Sequence, residues 1–386
     1  MIPRLRLDIG WFDLLSALVL SPSNEAALNT RIHAHAPPDA HPVTGLSVRT
    51  LFDAILAETE ARPVLMSAVT IADMPAIVQA HGRALHIVDI ETDTLFPAPQ
   101  SLRAACTALS PGVVVIAQLY GGRTAIPPAA SHQPGLIVIE DCAQTFDGEL
   151  TLSDGADIAL FSFGPIKTAT ALGGAIGLFR DAELAQRVGR RITAYPALPE
   201  RWFLRRIAKF AGLKILNIPV VYGAFLSVLK LSGRDLEQTI GQMARGFSAG
   251  RPIEEAVRQK PPCRMLALLA RRLDKWRPGP DATPHLFDQL SSITTLPGSA
   301  TGKHRWWLAP IMVAEPSRLI AALRKQGYDA TRGATSMHAI SGDDNAPPPN
   351  AAHMMRSIVY LPKPANKAQA SQLAAAVETA LTTGAR

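Results

Sequence analysis

The sequence predicts an α/β fold in which a mostly parallel sheet has helices on both faces and is followed by a smaller C-terminal α/β domain. With 386 residues, 47% of them hydrophobic, the chain can bury one large core and a second, smaller one. Two continuous apolar runs, 135–140 and 157–163, are typical of strands that are buried on both faces of a parallel sheet. Strand and helix patterns alternate over 46–190 and again over 286–386.

The chain divides into four segments by composition. They are an N-terminal extension (1–45), a core (46–190), a helical insert or connecting region (191–285) and a small C-terminal α/β domain (286–386). In the extension, GWFDLLSALVL is predicted to be a packed helix rather than a signal peptide, because Asp8 and Asp13 interrupt the apolar run. A Pro- and His-rich connector follows it.

The last segment has its own series of elements. KHRWWLAPIMV is predicted to be a strand, and PSRLIAALRKQGY a helix that ends at Gly327. SIVYLP is predicted to be a second strand, and KAQASQLAAAVETAL a helix that closes the chain. This order is that of a small α/β domain.

An acid and a lysine follow the two buried strands. Asp141 ends the first strand, and ligands of parallel sheets bind beyond the carboxyl ends of strands. After the second strand, Gly164 and Pro165 form a turn with Lys167 at its end. A lysine there can lose water, have its pKa lowered and form a Schiff base, while a facing aspartate pairs with a protonated pyridine nitrogen. Pyridoxal 5′-phosphate (PLP) needs this pair, because its ring withdraws electrons only when that nitrogen is protonated.

Each of these residues alone has an ordinary structural interpretation. A lysine such as Lys167 is usually a solvated loop charge. Asp141 alone would be a helix N-cap, and the glycine pair 173–174 a turn. Taken together with Gln144 and Ser162 at their spacings, the set favours a cofactor site.

The order EDCAQ, FSFGPIK and GGA resembles the DegT/StrS family of PLP-dependent sugar aminotransferases. These enzymes have the three-layer PLP-dependent transferase fold of the aspartate aminotransferase type (type I). Most of the chain can be aligned with that pattern. Residues 84–121 resemble the family's strand, helix and strand, and residues 46–56 resemble its phosphate-binding turn and first large-domain helix.

The resemblance implies a role for each matched residue. Lys167 would hold PLP covalently, and Asp141 would pair with the pyridine nitrogen. Gln144 would contact the ring hydroxyl, and Ser162 would bind the phosphate. Lysine at position 167 favours transamination, because the related sugar dehydratases have histidine there.

The chain departs from the family's pattern at three places. Ser47, Val48 and Arg49 stand where the family has a Gly-Thr-Ser turn for phosphate. Backbone amides at the start of the next helix and the guanidinium of Arg49 can still hold an anion, although Arg49 can equally be a surface charge. Thr70 stands where the family has an aromatic residue that stacks on the cofactor ring, so this chain lacks that aromatic residue. No Asn-Tyr-Arg segment is present, and residues 245–261 are expected in its place.

The predicted activity is PLP-dependent transamination from an amino-acid donor to a nucleotide-linked keto sugar. Its products would feed surface polysaccharide or secondary-metabolite assembly, and the resemblance implies a homodimer. Arg332 and His338 are candidate substrate contacts in the small domain. The alternative is a catalytically silent PLP-binding regulatory or membrane-associated protein of the same fold, which the altered phosphate turn and the missing aromatic residue support.

Residues 201–231 leave two interpretations open. Their apolar part is about as long as a membrane-spanning helix, but Lys214, Asn217 and Pro219 interrupt it. Basic residues with Trp202 at its start suit an interfacial helix on an anionic membrane. Otherwise the segment is a buried insert over the active site or the dimer interface.

Composition limits the remaining classes. The formal charge of +7 suits anionic substrates but is too diffuse for nucleic-acid binding. The three cysteines, 106, 142 and 263, lack metal or disulfide spacing, which suits the reducing cytoplasm. No metal site is predicted, because the histidines at 33, 35 and 41 have no cysteines or paired carboxylates beside them. The predicted localisation is therefore cytoplasmic, with peripheral membrane contact through 201–231 as the open alternative.

Overall fold

In the part of the chain that the structure describes, seven strands form a central sheet, and three two-stranded sheets lie beside it. A computed structural model describes residues 2, 7–19, 24–126, 134–216, 218, 221, 252–343 and 346–382. The strands are β1 (His41–Gly45), β2 (Val64–Ser67), β3 (Val69–Ile71), β4 (Leu85–Val88), β5 (Val113–Ala117), β6 (Gly122–Arg123), β7 (Ile137–Asp141), β8 (Ile158–Ser162), β9 (Ala175–Phe179), β10 (Lys303–His304), β11 (Ala309–Met312), β12 (Met337–Ala339) and β13 (Ile358–Leu361). The described helices are α1 (Trp11–Val19), α2 (Glu25–His33), α3 (Val48–Ala57), α4 (Asp73–Ala80), α5 (Pro99–Leu109), α6 (Ala182–Ala194), α7 (Glu200–Leu216), α8 (Ile253–Val257), α9 (Cys263–Lys275), α10 (Thr283–Leu290), α11 (Pro316–Lys325), α12 (Pro349–Ser357) and α13 (Lys367–Thr382).

The central sheet is mostly parallel, as predicted. Its strand order is β1-β9-β8-β7-β5-β2-β4. The strands from β8 to β4 run parallel, while β9 is antiparallel to both of its neighbours. The three small sheets, β6-β10, β11-β13 and β3-β12, are antiparallel.

Helices cover both faces of this sheet because its strands are apolar on both sides. In β5, Val113 and Val115 face the core that α3, α4 and α6 form. Val114 and Ile116 face the opposite core, to which α5 contributes. This alternation explains why the buried strands appear in the sequence as continuous apolar runs. The predicted fold class is confirmed.

The predicted C-terminal elements are largely confirmed. The strand SIVYLP corresponds to β13, and the two predicted helices correspond to α11 and α13. Gly327 follows α11 with φ +89°, a conformation that glycine adopts easily. KHRWWLAPIMV is not one continuous strand: it forms β10 and β11, and the irregular stretch between them, 305–308, carries Trp306 and Trp307 into the core.

The N-terminal connector holds more regular structure than predicted. The helix α1 is present, but α2 follows, and β1 is an edge strand of the central sheet, paired with β9. The sequence HPVTG of β1 lacks an apolar run because only Val43 and Gly45 are buried. The helices α6 and α10 run across positions 190 and 285, where composition places segment boundaries.

The described part of 191–285 is mostly helical, as expected. The helix α7 covers the start of the segment 201–231, and residues 222–231 lie outside the described residues. Of the segment 245–261, the first seven residues also lie outside them. Among the described helices, none combines the length and the apolar character needed to cross a membrane.

Candidate functional site

Two site residues stand at the C-terminal ends of adjacent parallel strands. Asp141 is the last residue of β7 and pairs in register with Leu160 of β8. Ser162 is the last residue of β8. In the turn that follows, the Lys167 N–H donates to the carbonyl oxygen of Gly164 at 3.0 Å. This edge of the sheet therefore brings together the acid, the hydroxyl and the lysine that the sequence places after two separate strands.

Lys167 lies in an environment that disfavours its charged form. Burial lowers the pKa of Lys167 to about 8; the nearby Asp141 carboxylate opposes this shift, and the Arg49 guanidinium adds to it. The Nζ atom of Lys167 lies 4.0 Å from the centroid of the Trp307 ring. An amine with a pKa this close to neutrality is available as a nucleophile far more often than an exposed lysine.

Asp141 is buried beside this amine. Burial raises the pKa of Asp141. This effect outweighs two smaller ones that lower the pKa: the hydrogen bond that the N–H of Ala143 donates to Oδ1 at 3.0 Å, and the charge of Lys167. Because water is largely excluded, a bound cation at the carboxylate would interact strongly with it. The position therefore suits a partner for a protonated ring nitrogen.

Gln144 holds a strained turn at the edge of the site. Its Oε1 accepts the N–H of Tyr120 at 2.9 Å, and its Nε2 lies 2.9 Å from the sulfur of Met337. Tyr120 has φ +57° and Gly121 has φ +99°. The side-chain amide that the resemblance assigns to the cofactor hydroxyl thus also joins the core to the C-terminal part of the chain.

The turn at 47–50 begins helix α3. Ser47 is its N-cap, with Oγ accepting the N–H of Thr50 at 3.2 Å. The side chain of Val48 is buried in the core, so only its backbone can contact a ligand. The guanidinium of Arg49 forms an ion pair with Asp73 and is largely buried, so Arg49 is not a plain surface charge.

Arg206 is a site-adjacent residue that the sequence did not single out. Its Nε donates to the carbonyl oxygen of Leu172, in the loop after Lys167. Burial, and then the charge of Arg49, lowers the pKa of Arg206 to about 10. The N–H of Gly174 donates at 2.9 Å to the carbonyl of Leu46, directly before Ser47. Nothing in RWFLRRIAKF distinguishes Arg206 from its basic neighbours, because only the packing of α7 turns it inward.

The N-terminal extension supports the loop after Lys167. Ala169 has φ +52° and Leu172 has φ +60°, which are unusual for residues with side chains. The Asp8 carboxylate accepts the Ala169 N–H at 2.7 Å and the Nε1–H of Trp276 at 2.8 Å. An extension that the sequence separates from the core therefore determines the path of this loop.

Three of the predicted site residues, Thr70, Arg332 and His338, lie in or near the small sheet β3-β12. Thr70 is buried in β3 and pairs with His338 of β12. His338 and Arg332 line an open cleft of about 780 Å³ in the C-terminal part, and neither Lys167 nor Asp141 lines it. Met337 lines this cleft and also contacts Gln144. A substrate role for Arg332 and His338 stays a prediction.

The donor set fits PLP. It contains an amine of lowered pKa, a buried carboxylate at the neighbouring strand end, and hydroxyls on Ser47 and Ser162. Arg49 and Arg206 add positive charge on the side of the α3 N-terminus, where a phosphate group is favoured. Among the described residues, no group of histidine, cysteine and acidic side chains has the arrangement of a metal site.

Part of the sequence matches a known protein family. Residues 48–194 match the model of the DegT/DnrJ/EryC1/StrS aminotransferase family. Among curated proteins, none matches the sequence of this chain.

Solved structures share the fold over nearly the whole chain. One is the sugar aminotransferase CalS13 from Micromonospora echinospora, with a TM-score of 0.66 at 15% identity, covering 98% of this chain and 100% of CalS13. The Helicobacter pylori aminotransferase PseC, involved in pseudoaminic acid biosynthesis, has a TM-score of 0.66 at 13% identity, with 99% of both chains covered. S. venezuelae DesV, in complex with a ketimine intermediate, has a TM-score of 0.62 at 18% identity, covering 96% of this chain and 93% of DesV.

The match to the family model therefore confirms the predicted resemblance, and the solved structures confirm the predicted fold. The matched segment contains β7, β8, Asp141 and Lys167. Over residues 48–194, this chain is similar to the DegT/DnrJ/EryC1/StrS aminotransferase family.

Proposed function

We propose that this protein is a PLP-dependent aminotransferase that moves an amino group from an amino acid to a nucleotide-linked keto sugar. The observation that carries the proposal is the lowered pKa of Lys167, beside the buried Asp141, at the C-terminal edge of the sheet. The family match over 48–194 and the sugar aminotransferases of the same fold support it. Surface polysaccharide or secondary-metabolite assembly would use such an amino sugar.

The side chains of the site have defined roles in this scheme. When bound, PLP supplies an aldehyde carbon and a ring that withdraws electrons. Lys167 Nζ would hold the cofactor and, when free, would move the substrate proton as a general base. Asp141 would pair with the protonated ring nitrogen. Gln144 is assigned to the ring hydroxyl, as the resemblance implies.

The proposed phosphate site combines a helix N-terminus, hydroxyl groups and two guanidinium groups. The N-terminus of α3, with Ser47 as N-cap, and the hydroxyl of Ser162 are joined by Arg49 and Arg206. Two guanidinium groups that repel each other are stabilised when a dianion lies between them. Arg49 and Arg206 thereby compensate for the missing Gly-Thr-Ser turn.

The first experiment compares the visible absorbance of the purified protein with added PLP in wild type, Lys167→Ala and Lys325→Ala. Wild type and Lys325→Ala are expected to develop a protein-bound absorption band, and borohydride should fix the cofactor on the peptide that contains Lys167. Lys167→Ala should lack both signals. The absence of both signals in wild type would contradict cofactor binding.

A turnover assay separates the enzyme from the silent alternative. Wild type is mixed with an amino-acid donor and a panel of nucleotide-linked keto sugars, and the amino sugar is detected by mass spectrometry. Turnover by wild type and its loss in Lys167→Ala are expected. A protein that holds PLP on Lys167 but converts no keto sugar would be the regulatory binder.

The proposal includes a cytoplasmic homodimer. The thiols of Cys106, Cys142 and Cys263 are free, which suits a reducing compartment. Light scattering on the PLP-loaded protein should give twice the mass of one chain. A single-chain mass would contradict the dimer.

A further inference from the structure

The exposed apolar side chains of this protein are concentrated on one surface. Of the large hydrophobic residues that are exposed in the described part of the chain, all except Ile293 belong to α1 or to the end of α7 and the residues just after it. We call this surface the α1/α7 patch, and it consists of Trp11, Phe12, Leu15, Leu18, Val19, Ile215 and Ile218. Soluble proteins rarely leave so many large apolar side chains together in water unless the surface binds something.

The patch is a built surface. In α1 the buried positions are Asp13, Leu14 and Ala17, so the helix turns an acid and one leucine inward and its other large apolar residues outward. The Asp13 carboxylate is held by Arg272 at 2.7 Å and by Arg271 at 3.1 Å, both on α9. The apolar face of α1 is therefore fixed outward by buried ion pairs on its opposite side.

Basic residues border the patch. Lys214 lies 5.8 Å from the centroid of the Trp11 ring, and Arg271 lies 4.8 Å from that of Phe12. The exposed charged residues of α7, which are Arg201, Arg205 and Lys209, are all basic and share its solvent face with Ile215. An apolar stripe with aromatic residues and a basic border is the arrangement by which helices bind an anionic membrane surface.

We propose that the α1/α7 patch docks this protein on an anionic lipid surface, with the apolar side chains in the headgroup region and the basic border over the lipid charges. Charge decides between this occupant and a second copy of the chain. In a symmetric dimer the basic borders would face each other and repel, whereas an anionic bilayer attracts them. The inference extends the interfacial interpretation of 201–231 to a surface in which α1 supplies most of the apolar side chains.

Vesicle co-sedimentation tests the proposal directly. The full chain is mixed with vesicles of phosphatidylcholine alone or with added phosphatidylglycerol. Wild type should sediment with the anionic vesicles about tenfold more than with the neutral ones, and high salt should weaken this binding. Failure to sediment with anionic vesicles would overturn the proposal.

Matched variants identify the surface. The double variant Phe12→Ser and Leu15→Ser should lose about tenfold in vesicle binding. Ile293→Ser changes the one other large exposed apolar residue among those described, and this variant should bind like wild type. Likewise, Arg205→Glu with Lys209→Glu should lose binding. The control variant, Arg103→Glu with Arg190→Glu, makes the same change in net charge on α5 and α6. It should keep most of the vesicle binding. Equal losses in the patch variants and their controls would overturn the assignment of the patch.

The oligomeric state tests whether a second copy of the chain, rather than a lipid surface, covers the patch. Light scattering without lipid should give the same mass for wild type and for Phe12→Ser with Leu15→Ser. A lower mass in that variant, with unchanged vesicle binding, would overturn the proposal and assign the patch to a second copy. None of these measurements depends on PLP or turnover, so they succeed or fail independently of the proposed aminotransferase activity.

Discussion

At the scale of single residues, the candidate site is governed by the opposing influences on Lys167. Burial and the Arg49 guanidinium lower the pKa of its amine, whereas the Asp141 carboxylate raises it. The result, a pKa of about 8, leaves the amine protonated in part near neutral pH and available as a nucleophile above it. The neighbours of the lysine therefore decide the pH range in which it reacts.

Substituting these neighbours should move the titration of Lys167 in opposite directions. Arg49→Met removes a positive charge and should raise the pKa of Lys167, and Asp141→Asn removes a negative charge and should lower it. Trace acetylation, read by peptide mass spectrometry as a function of pH, reports the midpoint, and Lys325 provides an exposed lysine in the same sample. Shifts of the same sign in both variants would contradict this electrostatic account.

At the scale of elements, the turn after β5 connects the two parts of the chain. The carbonyl oxygen of Tyr120 accepts the N–H of Trp307 at 2.8 Å, and the Trp307 ring covers Lys167. A Cβ atom on Gly121, at φ +99°, would collide with the carbonyl oxygen of Arg305. Glycine is required here both by the backbone conformation and by the close approach of the segment 305–307.

Gly121→Ala should therefore be much more destabilising than a glycine substitution that meets only backbone strain. Gly327 has a similar φ of +89° with no atom near the added methyl group, so Gly327→Ala should cost about 1 kcal/mol. Gly121→Ala should cost roughly 3 kcal/mol or more, because the neighbouring chain must shift. Chemical denaturation measures both, and equal costs would show that the contact with Arg305 relaxes freely.

Asp53 of α3 joins three other helices at their C-terminal ends. Its carboxylate lies 2.9 Å from His81 Nε2 after α4 and accepts the Tyr195 hydroxyl at 3.0 Å after α6. Arg258, after α8, donates from Nε at 3.1 Å. Burial alone would raise the pKa of Asp53, but these hydrogen bonds outweigh it and lower the pKa to about 2.

This junction should stabilise the fold in a pH-dependent way. Because the pKa of Asp53 falls from 3.8 in the unfolded chain to about 2, its contribution is complete above about pH 4 and is lost as the pH falls toward 2. Asp53→Asn should reduce the free energy of unfolding by roughly 2 kcal/mol at neutral pH. The difference from wild type should shrink on acidification, and exposed Asp288→Asn should show little effect. A difference that does not change with pH would attribute the loss to packing.

At the scale of the whole molecule, the site reduces the stability of the fold that supports it. Lys167 titrates at about 8 in the folded chain and at 10.5 when exposed, so folding disfavours its charged form. Its destabilising effect is complete below about pH 8 and disappears as the pH rises toward 10.5. A residue kept for chemistry is thus unfavourable for folding at neutral pH.

Lys167→Met should therefore stabilise the cofactor-free protein. The expected gain is roughly 1–3 kcal/mol at neutral pH, reduced from the full pKa difference because Lys167 is partly exposed. The gain should fall as the pH rises above 8, and Lys325→Met should be nearly neutral. Thermal unfolding as a function of pH measures the trend, and destabilisation at every pH would show that packing of the lysine side chain dominates.

The sequence by itself determined the fold class and the centre of the site. Short continuous apolar runs are typical of strands covered on both faces, and strand ends in a parallel sheet meet at one edge. Asp141, Ser162 and Lys167 could therefore be grouped without coordinates.

Tertiary structure alone decided what surrounds them. Trp307, Arg206 and Asp8 reach the site region from segments that are distant in sequence, and no local pattern reports such a contact. The edge strand β1 was missed because an antiparallel edge strand needs few apolar residues, and the outward apolar face of α1 depends on which side of that helix the ion pairs of Asp13 hold inward.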